Sequence, residues 1–291
     1  MSDLKAPVLF LAFNRPKETS QTFEAIRRAR PKKLYLAADG PRLDQTQESA
    51  LCDDVRAVLS NVDWDCDVKQ LFRSENLGCQ RAINEALDWF FENEEAGIII
   101  EDDCLPHDSF FPFCDHYLEK YEEDINISMI CGSNFYNRNF DEDFTSRMFS
   151  IWGWASWRKV WQDYRSVTIK SVRSKELTFS EKIYHKLSLA LVKSGKLDTW
   201  DVQFTVFLLN DMQNAVIAKK NLIKNIGFSG HHSADTNMVD INLNRETHQW
   251  LPNVEDKIKN NTGYDNFMIR TRYKSDLFLN ALRLLKLRYL W

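Results

Sequence analysis

Three consecutive carboxylates, Glu101-Asp102-Asp103, follow directly on the apolar run Gly97-Ile98-Ile99-Ile100. Adjacent anions repel, so such a triplet is stable where a cation or a network of donors neutralises it. Hard oxygen ligands of this kind suit Mn²⁺ or Mg²⁺, held by one or two carboxylates while phosphates and water complete the shell. The apolar run reads as a strand buried on both faces at the centre of a parallel sheet. The triplet then lies at the C-terminal end of that strand, the edge at which open α/β sheets bind ligands. The competing reading is a strand that ends in a solvated acidic turn.

Other residues could share the crevice. Arg15, in Asn14-Arg15-Pro16, could reach a phosphate or fix a base, and Asp39, in Asp39-Gly40-Pro41, could accept from a base N–H. For a nucleoside-diphosphate substrate, one carboxylate of the triplet would face the metal and another would accept from ribose hydroxyls. The metal would act as a Lewis acid on the leaving diphosphate. Displacement of that diphosphate with inversion needs one general base across the sugar from the metal, and so from a later part of the chain. Asp198 and Asp201 flank Trp200, and an aromatic neighbour raises a carboxylate pKa by desolvation. Asp198 reads as the N-cap of the helix that follows, which leaves Asp201 as the base.

The elements that would position these residues alternate. Strands are predicted over 7–13, 34–38 and 68–72, and helices over 17–30, 44–59 (capped by Asp44) and 78–92, before the central strand. Four strand–helix alternations in about a hundred residues point to βαβ units with right-handed crossovers. Beyond Asp103 the pattern predicts an aromatic helix over 108–121, a strand over 127–131, helices over 177–193 and from 201, and short strands over 215–218 and 222–226. Residues 149–161 hold four of the nine tryptophans, and Trp154, Trp157 and Trp161 are spaced as a helical stripe. Residues 227–232 (GFSGHH) form a turn with two histidines, and 235–266 are polar with little periodicity.

The 291 residues suffice for one large domain. An apolar fraction of 44% and a charged fraction of 27% are those of a soluble globular protein. A net charge of −4 spread along the chain offers no general attraction for nucleic acid. The six cysteines form no CxxC pair and read as free thiols in a reducing compartment. No secretory signal or window of roughly 18–20 apolar residues is visible, so a cytoplasmic protein is expected. From Met268 to Trp291 six Lys/Arg stand against Asp276 alone, and a basic amphipathic helix is predicted from Ser275. Such a helix could lie on an anionic membrane surface or pack on the domain.

The order of these motifs resembles the GT-A-fold glycosyltransferases, in particular the branch of the Golgi alpha-1,3-mannosyl-glycoprotein beta-1,2-N-acetylglucosaminyltransferase and its bacterial relatives. The likeness runs from Pro7 to about Ser233 and rests on PVLFLAFNRP, YLAADG, the IIIEDD form of the DxD motif, Gly153-Trp154 and Trp200-Asp201. It implies an α/β fold with a mixed, mostly parallel Rossmann-like sheet flanked by helices and a C-terminal helical extension. It further implies Asp103 as metal ligand and Glu101 and Asp102 as nucleotide-sugar contacts. Arg15 and Asp39 would be nucleoside contacts, Trp154 and Trp200 would lie on the acceptor side, and Asp201 would be the base. Many GT-A enzymes carry a late His on metal or diphosphate; His231 and His232 both sit at that place, and His232 is taken. The domain would span 1–233, with a nucleotide-sugar half over 1–133 and an acceptor half over 134–233, followed by a loop and helix over 234–291.

The expectation is a metal-dependent, inverting glycosyltransferase. It would move a sugar from a nucleoside diphosphate, with UDP-GlcNAc implied by the likeness, to a glycan or lipid-linked acceptor in surface polysaccharide synthesis. It would work in the cytoplasm or peripherally on the inner membrane face. One alternative is a non-catalytic glycan-binding or scaffold protein on the same fold. Another is a sugar-1-phosphate nucleotidyltransferase, which needs a Gly-rich loop after the first strand to wrap a triphosphate. Here that turn is Phe13-Asn14-Arg15-Pro16, with no glycine.

Overall fold

The computed structural model describes residues 4–136, 140–227, 245–252 and 258–273. The first hundred residues alternate as the apolar pattern predicts: β1 (Val8–Ala12), α1 (Pro16–Ala29), β2 (Lys33–Ala38), α2 (Glu48–Leu59), β3 (Asp67–Phe72), α3 (Cys79–Asn93) and β4 (Ala96–Glu101). Next come β5 (Cys104–Pro106), α4 (Phe110–Lys120), β6 (Ile127–Cys131), β7 (Phe144–Ser146), β8 (Trp154–Trp157), α5 (Arg158–Ser166), α6 (Phe179–Lys193) and α7 (Asp201–Asn210). The last elements are β9 (Asn214–Ile217), β10 (Ile223–Asn225) and α8 (Thr262–Met268), which runs into a π-helical turn, Ile269–Tyr273.

The fold is α/β, with an eight-stranded sheet in the order β3-β2-β1-β4-β8-β6-β9-β7. Strands β3, β2, β1 and β4 are mutually parallel, β8 is antiparallel to both β4 and β6, and β9 runs with β6 while β7 opposes it. The sheet is therefore mixed and mostly parallel, in the Rossmann manner. Phe10 sits between Leu36 of β2 and Ile100 of β4. The chain moves outward from β1 to β2 and β3, then crosses back to β4 on the other side of β1. That reversal of strand order opens a crevice beyond the C-terminal ends of β1 and β4.

Both faces of the central strands are covered. Val8, Phe10, Ile98 and Ile100 pack with Phe23, Ile26, Phe110 and Phe113 of α1 and α4. Leu9, Leu11 and Ile99 face the other way, with Leu87, Phe90, Trp161 and Phe204 of α3, α5 and α7. Burial on both faces is why these strands read as unbroken apolar runs.

Three sequence expectations change. Residues 149–161 are not one helix: Gly153, at φ +62, turns the chain into β8, and α5 starts only at Arg158. Trp154 joins the core on the α3/α7 face and Trp157 the core on the α1/α4 face, the period-two alternation of a strand. Asp44 does not cap α2, which begins at Glu48 without a side-chain cap. The stretch read as polar and aperiodic contributes core: Trp250 packs edge-on against Phe113 at 5.5 Å, and Tyr264 of α8 is fully buried. The helix expected from Ser275 and the histidines His231 and His232 lie outside the described residues.

Candidate functional site

The turn after β1 brings Arg15 to the crevice. Pro16 occupies the first position of α1, where its missing N–H costs nothing, and Arg15 precedes the helix. The Arg15 guanidinium donates from Nη1 to Asp103 Oδ2 at 2.7 Å and to Asp102 Oδ1 at 3.3 Å. The backbone N–H of Phe13 donates to Asp102 Oδ2 at 3.2 Å, and the Thr22 hydroxyl donates to the Asp102 carbonyl at 2.9 Å. The ends of β1 and β4 are thereby fastened through the triplet itself.

The three carboxylates differ in surroundings. Glu101 ends β4 with Oε1 buried and without a hydrogen-bond partner. Burial, then the charges of Asp103, Asp102 and Asp201, push its carboxyl well above the ordinary range. Asp102 is 7% exposed. Burial and then Asp103 raise it to about 7, against Arg15 and the Phe13 N–H. Asp103 is more open, and its carbonyl accepts from the Ile226 N–H at 2.8 Å. That bond extends the antiparallel pairing of β5 with β10, which seats Gly227 against the Asp103 side chain. A Cβ at Gly227 would stand 2.3 Å from Asp103 Oδ2. Burial opposes the charge of Arg15, but Asp102 and Asp103 outweigh it and hold the guanidinium protonated.

Asp39 sits one strand away at the end of β2. Its carboxylate accepts from the N–H groups of Gly40 (3.0 Å) and Leu77 (3.1 Å) and from Asn76 Nδ2 (3.0 Å). In this conformation it shapes the turn after β3, and the base-facing role expected of it shares a carboxylate already bonded to its own chain. Burial raises its pKa, against the Leu77 and Gly40 donors.

Asp201 opens α7, and its Oδ1 accepts from the Thr199 hydroxyl. Its charge reaches Glu101 and the Cys79 thiol, which brings the start of α7 near the acidic end of β4. Asp198 is a cap, but of a different helix from the one expected. It accepts from the N–H groups of Cys79 (2.7 Å) and Gln80 (3.0 Å), the first turn of α3. Gly78, at φ +78, leaves room for it.

Trp154 and Trp200, expected on the acceptor side, are instead core residues. They are 0% and 2% exposed and stack on each other at 5.7 Å, with Phe204 completing the layer under Asp201. Neither presents a ring face to a sugar. Sequence reasoning also passed over Glu48, which is buried and accepts from Asn14 Nδ2 (2.7 Å) and from the Arg42 N–H (2.7 Å). The Arg42 guanidinium lies 5.7 Å over the Phe13 ring. A lone Glu at the start of a helix carries no signal of that kind.

Among the described residues no group of three or more His, Cys, Asp or Glu is arranged to hold a metal ion by itself. The crevice nevertheless fits a divalent ion completed by phosphates. It offers hard oxygen donors, with Asp103 partly open to solvent and a buried Glu101 oxygen that no donor satisfies.

No protein-family model matches the chain, and no curated protein matches it. Similar solved structures include the inositol-1-phosphate CTP transferase from T. maritima, 10% identical with a TM-score of 0.45, covering 82% of this chain and 95% of that one. A UDP-glucose pyrophosphorylase in complex with UDP-glucose is 9% identical at a TM-score of 0.37, covering 76% and 91%. HddC from Yersinia pseudotuberculosis is 14% identical at 0.34, covering 55% and 80%. Likenesses of this size identify neither a family nor an activity, and the site is read from its own geometry.

Proposed function

We propose that the protein is a divalent-metal-dependent glycosyltransferase that binds a nucleoside-diphosphate sugar at the β1/β4 crevice and passes the sugar, with inversion, to an acceptor hydroxyl. The observation that carries the reading is the convergence of Arg15 and the triplet from one half of the chain with Asp201 from the other. Asp103 would hold the ion, which when bound would neutralise charge on the leaving diphosphate. Arg15 would bind a phosphate oxygen through its planar fork. Glu101 would hydrogen-bond a hydroxyl of the donor, and Asp102 would keep the ends of β1 and β4 together. Asp201, steadied by Thr199, would take the proton from the acceptor hydroxyl as that oxygen attacks the anomeric carbon.

Nucleotidyl transfer on the same sheet would need a cradle of backbone donors for a triphosphate. The β1–α1 turn lacks glycine, and Pro16 removes one N–H where that cradle would form. This favours glycosyl transfer. A non-catalytic glycan binder has no use for the acidic triplet, Arg15 and Asp201 together. The donor we favour is a UDP-sugar, UDP-GlcNAc first, and the acceptor a glycan or lipid-linked precursor of surface polysaccharide. No helix among the described residues is long and apolar enough to cross a membrane. The basic segment from Ser275 would hold the protein to an anionic bilayer.

Calorimetric titration of UDP, GDP and CMP, each with and without Mn²⁺, into the wild type and Asp103→Asn tests this. Mn²⁺-dependent binding of a nucleoside diphosphate, lost in the variant, is expected. Absence of binding by all three overturns the reading.

A further inference from the structure

Among the ion pairs of the described residues, the cation that meets the triplet is Arg15. Its Nη1 bridges Asp103 Oδ2 at 2.7 Å and Asp102 Oδ1 at 3.3 Å, the position from which a divalent cation would bond the same oxygens. A Mg²⁺-sized ion bonds a carboxylate oxygen at roughly 2.0–2.1 Å, so it and the guanidinium cannot share Oδ2 from one direction. Two cations so close also repel strongly in a partly buried site. Gly227 also crowds this carboxylate: even a methyl group there would lie 2.3 Å from Oδ2. Asp103 therefore cannot swing toward Gly227 to open a second approach.

The Arg15 side chain is 27% exposed and, in this structure, makes no hydrogen bond to cap α1. It is free to leave the carboxylates if another anion receives it. A diphosphate is such an anion, since phosphate oxygens match the guanidinium fork at least as well as a carboxylate does.

We infer that Arg15 is a resident counter-ion that keeps the divalent-cation position closed until a diphosphate draws it away, so that metal and nucleoside diphosphate bind with positive coupling. The inference rests on the proposed function and assigns Arg15 a second station that the fold likeness does not supply. Bare metal has to displace a guanidinium from the two carboxylates that bond it, leaving it only the nearby charge of Glu18. Metal arriving with a diphosphate exchanges one ion pair for another. Linkage requires the reciprocal effect: metal strengthens nucleotide binding by the same factor.

The experiment follows free Mn²⁺ by its electron paramagnetic resonance signal, a readout independent of turnover, with the wild type, Arg15→Met, Arg15→Gln and Arg15→Lys, each with and without UDP. In the wild type, UDP is expected to tighten Mn²⁺ at least about tenfold. In the folded neutral variants, Mn²⁺ alone is expected to bind about tenfold tighter than in the wild type, with the tightening by UDP reduced about tenfold to the part that phosphate ligands on the ion supply directly. Arg15→Lys keeps the charge and is expected to retain most of the coupling. Wild-type binding of Mn²⁺ with UDP, together with unchanged or weaker binding of Mn²⁺ alone in both neutral variants, overturns the inference and leaves the proposed function standing. A wild type that binds no Mn²⁺ even with UDP overturns both.

Discussion

At the C-terminal end of the parallel strands, Glu101, Asp102 and Asp103 are packed into the protein against Arg15; at the N-terminal end, Glu95, Asp115, Glu119, Glu122 and Asp163 line a groove of about 1050 Å³ beside Pro7, Ala96 and Ile127. Judged by the number of acids that line it, the groove is the more conspicuous feature. Its carboxylates, however, are satisfied or solvated. Asp115 accepts from the N–H groups of Lys5 and Ala6, Glu119 meets the Lys5 ammonium, and Glu95 and Glu119 have side chains 79% and 70% exposed. The hydrogen bond and charge of Lys5 lower the Glu119 pKa, as an ordinary surface pair does. In the crevice burial and then neighbouring carboxylate charges raise Glu101 and Asp102; in the groove burial raises Asp115, but against the Lys5 and Ala6 donors. A site is marked by charge held under burial with incomplete compensation, more than by the room around it.

Four measurements sharpen or break this contrast. The largest effect is expected from Asp201→Asn: turnover falls by about 10²–10⁴-fold while Mn²⁺-dependent nucleotide binding is retained. Steady-state rates beside calorimetry check it, and equal loss of both would move Asp201 from base to binding residue. Gly227→Ala comes next, because the added methyl collides with Asp103. A cost of about 1–3 kcal/mol, or roughly ten- to a hundredfold in Mn²⁺–UDP affinity, is expected if the strain falls on the bound state.

The third concerns pH. Asp102 is raised in the folded protein, so the native state keeps a proton that the unfolded chain releases. Stability is then full below the ordinary Asp pKa of 3.8 and is lost as pH rises through about 7. Chemical denaturation at pH 5 and pH 8 should show a smaller loss for Asp102→Asn than for the wild type; an identical loss would mean Asp102 ionises without penalty. The smallest effect is expected at the groove. Glu122→Gln and Asp163→Asn should each change stability by no more than about 0.5 kcal/mol and leave nucleotide binding unaltered. A clear drop in nucleotide binding in either would make the groove part of the site.

Much of the frame is legible in the chain. The alternation of apolar runs with helical stripes over the first hundred residues yields β1 to β4 with their helices, and Ile98–Ile100 before three acids marks a strand end worth examining. The tryptophan-rich segment misleads because Trp154, Trp157 and Trp161 fit a helical stripe as well as a strand running into a helix. Short segments are ambiguous in this way until their neighbours are known. Asp198 is legible as a helix cap, yet the helix it caps is α3, 119 residues earlier. Trp154 and Trp200 are legible as aromatic and conspicuous, but their stacking inside the core is not.

The sequence by itself determined the strand–helix order, the acidic end of β4 and the basic turn after β1, because periodicity and residue chemistry act over a few neighbouring positions. Only the tertiary structure decided that Arg15 meets Asp103, 88 residues away, that β8 enters antiparallel between β4 and β6, and that the charge of Asp201 reaches Glu101. Those are choices of partner between distant segments, settled by which faces must be buried together and which charges must be neutralised once they are.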